Sequence, residues 1–87
     1  MAWVQIPMML AEFTGGVRRL EATGANLREL IEELDRRFPG IAGQIYQGEK
    51  IRPTLVVTVD GKIATDGLNT PVASTSEVCF LPFLGGG

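Results

Sequence analysis

The chain has 87 residues, a net charge of −2, one cysteine and no histidine. That length holds one small domain with a modest core, and the charge balance gives nucleic-acid phosphates nothing to favour. A lone cysteine without histidine forms neither an internal disulfide, nor the usual Cys/His zinc site, nor a Cys–His nucleophilic pair, so a reducing compartment is expected. No signal peptide is visible at the start and no apolar run approaches the roughly 18 residues of a membrane span, so the expectation is a cytoplasmic protein with neither membrane nor nucleic acid as partner.

Trp3-Val4-Gln5-Ile6 alternates and holds β-branched and aromatic residues. It predicts a first strand, ended by Pro7, with Val4 and Ile6 on one face. Thr14-Gly15-Gly16 offers a reversal before a second strand over Val17–Ala22, so the first 22 residues form a hairpin-like unit with a long loop. From Asn26 the period changes. Leu27, Leu30, Ile31, Leu34 and Phe38 recur at the three-to-four spacing of one helical stripe. Asn26 with Glu29 makes a capping signature, and Pro39-Gly40 supplies the stop. Glu32–Arg36 and Glu33–Arg37 lie in the favourable i, i+4 order on the opposite face.

Ile41–Tyr46 adds a helical turn, and Gln47–Pro53 reads as an exposed loop. Leu55–Val59 is a strand, Asp60-Gly61 a tight type I′ turn, and Lys62–Thr65 its short return. Asp66-Gly67 and Asn69-Thr70-Pro71 are further turn chemistry. Val78–Phe83 is a nearly unbroken apolar run, which predicts a last strand covered on both faces, with Pro82 marking its end. The order is strand, strand, helix, strand, short strand, strand. This is an α+β design in which one main helix packs on one face of a single mixed sheet, with the first and last strands as the central pair. It is the β-grasp, or ubiquitin-like, fold, expected over residues 1–84, with 85–87 as a flexible C-terminal glycine tail.

Few side chains offer chemistry. Ser74 and Ser76 sit in a turn region, where hydroxyls bond to nearby backbone. Cys79, between Val78 and Phe80, reads as a small core hydrophobe. Glu29, Glu32, Glu33 and Asp35 share a helix with arginines and read as a solvated face rather than metal ligands. Gly61-Lys62-Ile63 lacks the upstream glycine and the hydroxyl of a phosphate loop. Arg18–Arg19 and Arg36–Arg37 are isolated basic pairs. Met8, Met9 and Leu10 fit an adaptable protein interface as well as they fit a core. The terminal Gly85-Gly86-Gly87 stands apart: with Leu84 it spans roughly 13–14 Å when extended and puts no side chain in the way of a narrow channel. It presents one group, the α-carboxylate of Gly87, to another protein's active site.

Glu77-Val78-Cys79-Phe80-Leu81-Pro82-Phe83-Leu84-Gly85-Gly86-Gly87 resembles the C-terminal motif of the MoaD/ThiS sulfur carriers, in which an apolar last strand with proline near its end runs into a terminal Gly-Gly. Ile6-Pro7 followed by Leu10 and Thr14-Gly15-Gly16 is similar to the carrier of the thiocarboxylate-dependent cysteine pathway. Molybdopterin synthase small subunits tend instead to have an aromatic-alanine pair and a nearby arginine, where this chain has Met8 and Ala11.

The resemblance implies a carrier rather than an enzyme, with no cofactor of its own. A ThiF/MoeB-like adenylyltransferase would use ATP to convert Gly87 to an acyl-adenylate, a sulfur donor would displace AMP, and a synthase would accept the sulfur of the resulting thiocarboxylate. That synthase would be cysteine-synthase-like or a molybdopterin synthase large subunit. Gly86 and Gly87 match the family's diglycine, while Gly85 stands where alanine or another small residue is common. Leu81 matches an apolar position that contacts the partner, and Phe83 with Leu84 extends that patch; strand-end packing is the other reading for Phe83. A molybdopterin synthase small subunit, a protein modifier forming isopeptide bonds and a non-covalent interaction module are the alternatives.

Overall fold

A computed structural model describes residues 1–83. Leu84 and the terminal glycines lie outside the described residues. Strands β1 (Ala2–Gln5), β2 (Arg19–Ala22), β5 (Leu55–Val59), β6 (Lys62–Ile63) and β7 (Glu77–Pro82) form one mixed sheet in the order β2-β1-β7-β5-β6. β1 and β7, the first and last strands, are neighbours and parallel, pairing Val4 with Val78, while β2 and β5 flank them antiparallel. The central pair expected from the sequence is therefore present, and the mixed sheet with its covering helix is the β-grasp arrangement.

One face of this sheet packs on helix α1 (Leu27–Arg37). Val4, Leu20, Val57, Val78 and Phe80 meet Leu27, Leu30, Ile31 and Leu34 in one buried cluster. Each such side chain contributes about 1.5–3 kcal/mol on burial. Helix α2 (Ile41–Ile45) adds the buried Ile41 and Ile45, entered through Gly40 at φ +101°. Phe38 caps the end of α1 and, partly buried, still packs against this cluster, so the stripe expected from Leu27 to Phe38 reaches its last residue.

The start of α1 is fixed by two reciprocal bonds. Asn26 Oδ1 accepts from the Glu29 N–H at 2.9 Å, and Glu29 Oε1 accepts from the Ala25 N–H, also at 2.9 Å. The glutamate thus reaches one residue further back than in the usual capping box. Asn26→Ala is expected to cost about 1 kcal/mol, read as a lower urea midpoint at unchanged m. Just before it, a Cβ on Gly24 would lie 2.5 Å from the Leu30 backbone nitrogen, so this loop lies directly on the helix.

Several local expectations change. β1 begins at Ala2 and β2 only at Arg19, although Val4 and Ile6 do share the buried face. The long loop between them is a 3-10 helix, Met8–Thr14, that drives Leu10 into the core and leaves Met8 and Met9 exposed. Gln47–Pro53 is not simply a loop: β3 (Tyr46–Gln47) and β4 (Lys50–Ile51) pair across a turn with Gly48 at φ +63°. Of the two expected helix ion pairs, Glu33–Arg37 is formed at 3.5 Å; Glu32–Arg36 is not among the ion pairs of the described residues. Asp60 and Gly61 both take positive φ, as a type I′ turn requires, and the return strand is limited to Lys62–Ile63. No helix among the described residues is long and apolar enough to cross a membrane.

Candidate functional site

β7 occupies the middle of the sheet and is secured at both ends. At its start, Asp60 Oδ2 accepts from the Ser76 hydroxyl at 3.0 Å and Oδ1 from the Glu77 N–H at 2.9 Å, while Ser76 Oγ accepts from the Ala73 N–H. Ser76 is buried, and its bond to Ala73 is the local backbone contact expected of it. The role of Asp60 was legible only as a turn residue, because its partners lie 16 and 17 positions away. At the far end, the Phe83 N–H donates to the Thr54 carbonyl at 2.9 Å. Pro82 has no N–H to donate, and this bond carries the pairing with β5 one residue past it.

Along β7 the side chains alternate. Val78 and Phe80 enter the core, whereas Glu77, Cys79 and Leu81 point to the face turned away from α1. The strand is therefore covered on one face, not two. Cys79 is half-buried on the open side rather than a core residue, because it shares its parity with Leu81. Leu81 is 45% and Phe83 54% exposed, and Val56 lies opposite Leu81 in register. They make an apolar stripe at the root of the C-terminal residues. The other half of the open face is polar: the Arg19 guanidinium lies 4.0 Å from the Trp3 ring centroid and 3.8 Å from the Glu77 carboxylate, which also accepts from Gln5 Nε2 at 2.8 Å.

Two concavities flank these elements. One, of about 400 Å³, lies over Thr23, Gly24, Ala25, Glu29, Glu32 and Arg36. Glu29 there is already bonded to the Ala25 backbone, so it supports the loop. The other, of about 260 Å³, lies between the start of the 3-10 helix and the end of β7 and includes Leu81 and Pro82. Of the residues singled out in the sequence, Leu81 and Phe83 are thus brought to one edge. Leu84, Gly85, Gly86 and Gly87 lie outside the described residues. No cluster of three or more metal-ligating side chains occurs among the described residues.

A ubiquitin-like β-grasp domain whose central last strand leads an apolar root toward a glycine-ended chain is the class that fold and site define. The chain belongs to the ThiS family, whose model matches residues 4–87. It is 29% identical over 89 residues to the sulfur carrier protein CysO of Mycobacterium tuberculosis, covering 97% of this chain and 96% of that protein. The crystal structure of the Amycolatopsis orientalis BexX/CysO complex contains a chain with TM-score 0.92 and 30% identity, each chain covered in full. The M. tuberculosis CysO crystal structure gives TM-score 0.91 at 26% identity, covering 97% of this chain and all of that one. The small archaeal modifier protein 1 of Methanosarcina acetivorans shares the fold, with TM-score 0.81 at 19% identity over 99% of this chain and 95% of that one.

Proposed function

We propose that this chain is a sulfur carrier of the CysO type, activated at the α-carboxylate of Gly87. The observation that carries the reading is the anchored exit of β7: Phe83 bonded to Thr54, with exposed Leu81 and Phe83 beside it, immediately before the sequence Leu-Gly-Gly-Gly. A rigid root with a side-chain-free end suits delivery of one reacting carbon into a partner's narrow site.

A carboxylate is a poor electrophile. An adenylyltransferase of the ThiF/MoeB type would join the Gly87 carboxylate to the α-phosphorus of ATP, releasing pyrophosphate. Hydrosulfide sulfur would then attack the acyl carbon and expel AMP, giving a thiocarboxylate. A cysteine-synthase-like enzyme would take up that sulfur; the similarity to CysO over nearly the whole chain supports this acceptor over the molybdopterin synthase large subunit. Gly85 and Gly86 would occupy the approach channel, and Leu81, Phe83 and Leu84 would meet the partner's surface.

Intact-mass analysis after incubation with the adenylyltransferase, ATP and sulfide tests the reading: one oxygen of the chain is replaced by sulfur. An unchanged mass with an active enzyme overturns it, and a ladder of covalent conjugates on denaturing gels would favour a protein modifier instead. Leu81→Asp is expected to raise the half-saturating carrier concentration about tenfold, equivalent to about 1.4 kcal/mol, in titrations of the activation rate. Its stability should fall by about 1 kcal/mol, because Leu81 is still half-buried and aspartate is disfavoured in a strand, so each titration is run where the variant remains folded.

A further inference from the structure

The concavity of about 260 Å³ beside β7 is walled by Pro7, Met8, Phe80, Leu81 and Pro82, and carries one charged residue, Arg18. Its volume lies below the roughly 300–1,000 Å³ of small-molecule sites, which suits a single large side chain better than a metabolite. Met8 is 76% exposed at its rim, and Leu81 is shared with the apolar stripe at the root of the C-terminal residues.

Arg18 is held in place through one nitrogen of its guanidinium group. Its Nε donates to the Ile6 carbonyl at 2.6 Å, and the Ile6 N–H donates in return to the Arg18 carbonyl at 2.9 Å. Arg19, Arg28 and Arg37 each meet a carboxylate; Arg18, like Arg36 and Arg52, forms no ion pair among the described residues, and it is the one of those three that lines this hollow. The guanidinium fork is therefore partly ordered before any partner arrives, which lowers the entropy lost when it binds. A fixed cation beside an apolar hollow, on a domain of net negative charge, is a local complement to one acid.

We propose that this groove receives a segment of the ATP-dependent activating partner that inserts one apolar side chain, of about leucine or phenylalanine size, between Met8 and Leu81 and places a neighbouring carboxylate on Arg18. The assignment rests on the sulfur-carrier reading and names the partner chemistry of that same edge. Because Leu81 belongs to both the groove and the stripe, one partner surface covers the hollow while it takes up the chain's end.

The test uses the full chain with a ThiF/MoeB-like adenylyltransferase from its own organism, ATP and sulfide, following thiocarboxylate formation by intact mass. Arg18→Glu should raise the half-saturating carrier concentration tenfold or more while the maximal rate is kept, and added salt should narrow the gap. Arg18→Lys, which keeps the charge but loses the fork, should raise it less. Met8→Asp should weaken saturation as Arg18→Glu does. Trp3 fluorescence reports folding; if Arg18→Glu unfolds, Arg18→Gln is used, with an expected rise of several fold. Wild-type saturation in a folded Arg18 variant overturns the groove assignment and leaves the carrier reading standing. A fall in maximal rate at unchanged half-saturation also overturns it. A parent chain that gains no sulfur from the active enzyme overturns both.

Discussion

Removal of Gly87 is expected to abolish thiocarboxylate formation while leaving the domain as stable as before. The shortened chain still ends in a glycine carboxylate, so the same chemical group is present about 3.3 Å short of its place. A misplacement of 1 Å at a reacting centre costs about 10²-fold, and a whole residue exceeds that. One alanine added after Gly87 should fail in the same way, by overshoot and by the bulk of its Cβ. The buried cluster runs from Ala2 to Phe80, so neither change removes a described core contact. Intact mass after the activation reaction and a urea melt of each variant check the two halves of the expectation. Activity retained at the parental level would show that the last residue is not the attachment point.

Phe80→Ala carries the largest expected effect on stability. Phe80 is 1% exposed, lies opposite Val57 and belongs to the strand that joins both halves of the sheet. Truncating a buried phenylalanine costs about 3–5 kcal/mol, against a total of about 4–13 kcal/mol for 87 residues. Urea unfolding should show the midpoint falling by a large fraction, and activation should fall with the folded population, recovering at lower temperature where enough native protein remains.

The elements with many repeats of one period were legible in the sequence. α1 showed its stripe, its cap and its stop in a single run of residues, and Leu55–Val59 with Asp60-Gly61 showed a strand and its turn. β3 and β4 were not, since two-residue strands contain no alternation to read. The 3-10 helix Met8–Thr14 was missed for a related reason: its pattern Met-Met-Leu-Ala-Glu-Phe-Thr completes too few turns to declare a period.

Cys79 departs from the expected burial for a different reason. Val78 to Phe83 is apolar at both parities, which reads as burial on both faces, yet Cys79, Leu81 and Phe83 form the outward set and two of them are largely exposed. An apolar outward set is invisible to a pattern that equates apolar with buried, because both parities then look alike. Gly24 gave no local sign at all, because the need for glycine comes from the Leu30 backbone across the loop. At the candidate site, Leu81 was legible as an apolar position of the last strand and is 45% exposed, whereas the glycine end lies outside the described residues. Arg18 read only as one half of an isolated basic pair, since what fixes it is a carbonyl twelve residues earlier.

The parallel pairing of β1 with β7 has a consequence for how such a chain comes into being. As the polypeptide leaves the ribosome, the earlier strands wait for a central neighbour that is translated after all of them. Its pairing with β1 joins residues more than seventy positions apart, so closing it costs more loop entropy than closing any hairpin of the sheet. Leu81 and Phe83 lie at the end of that same strand, so a chain that stops before β7 lacks both the centre of the sheet and the apolar stripe on its open face.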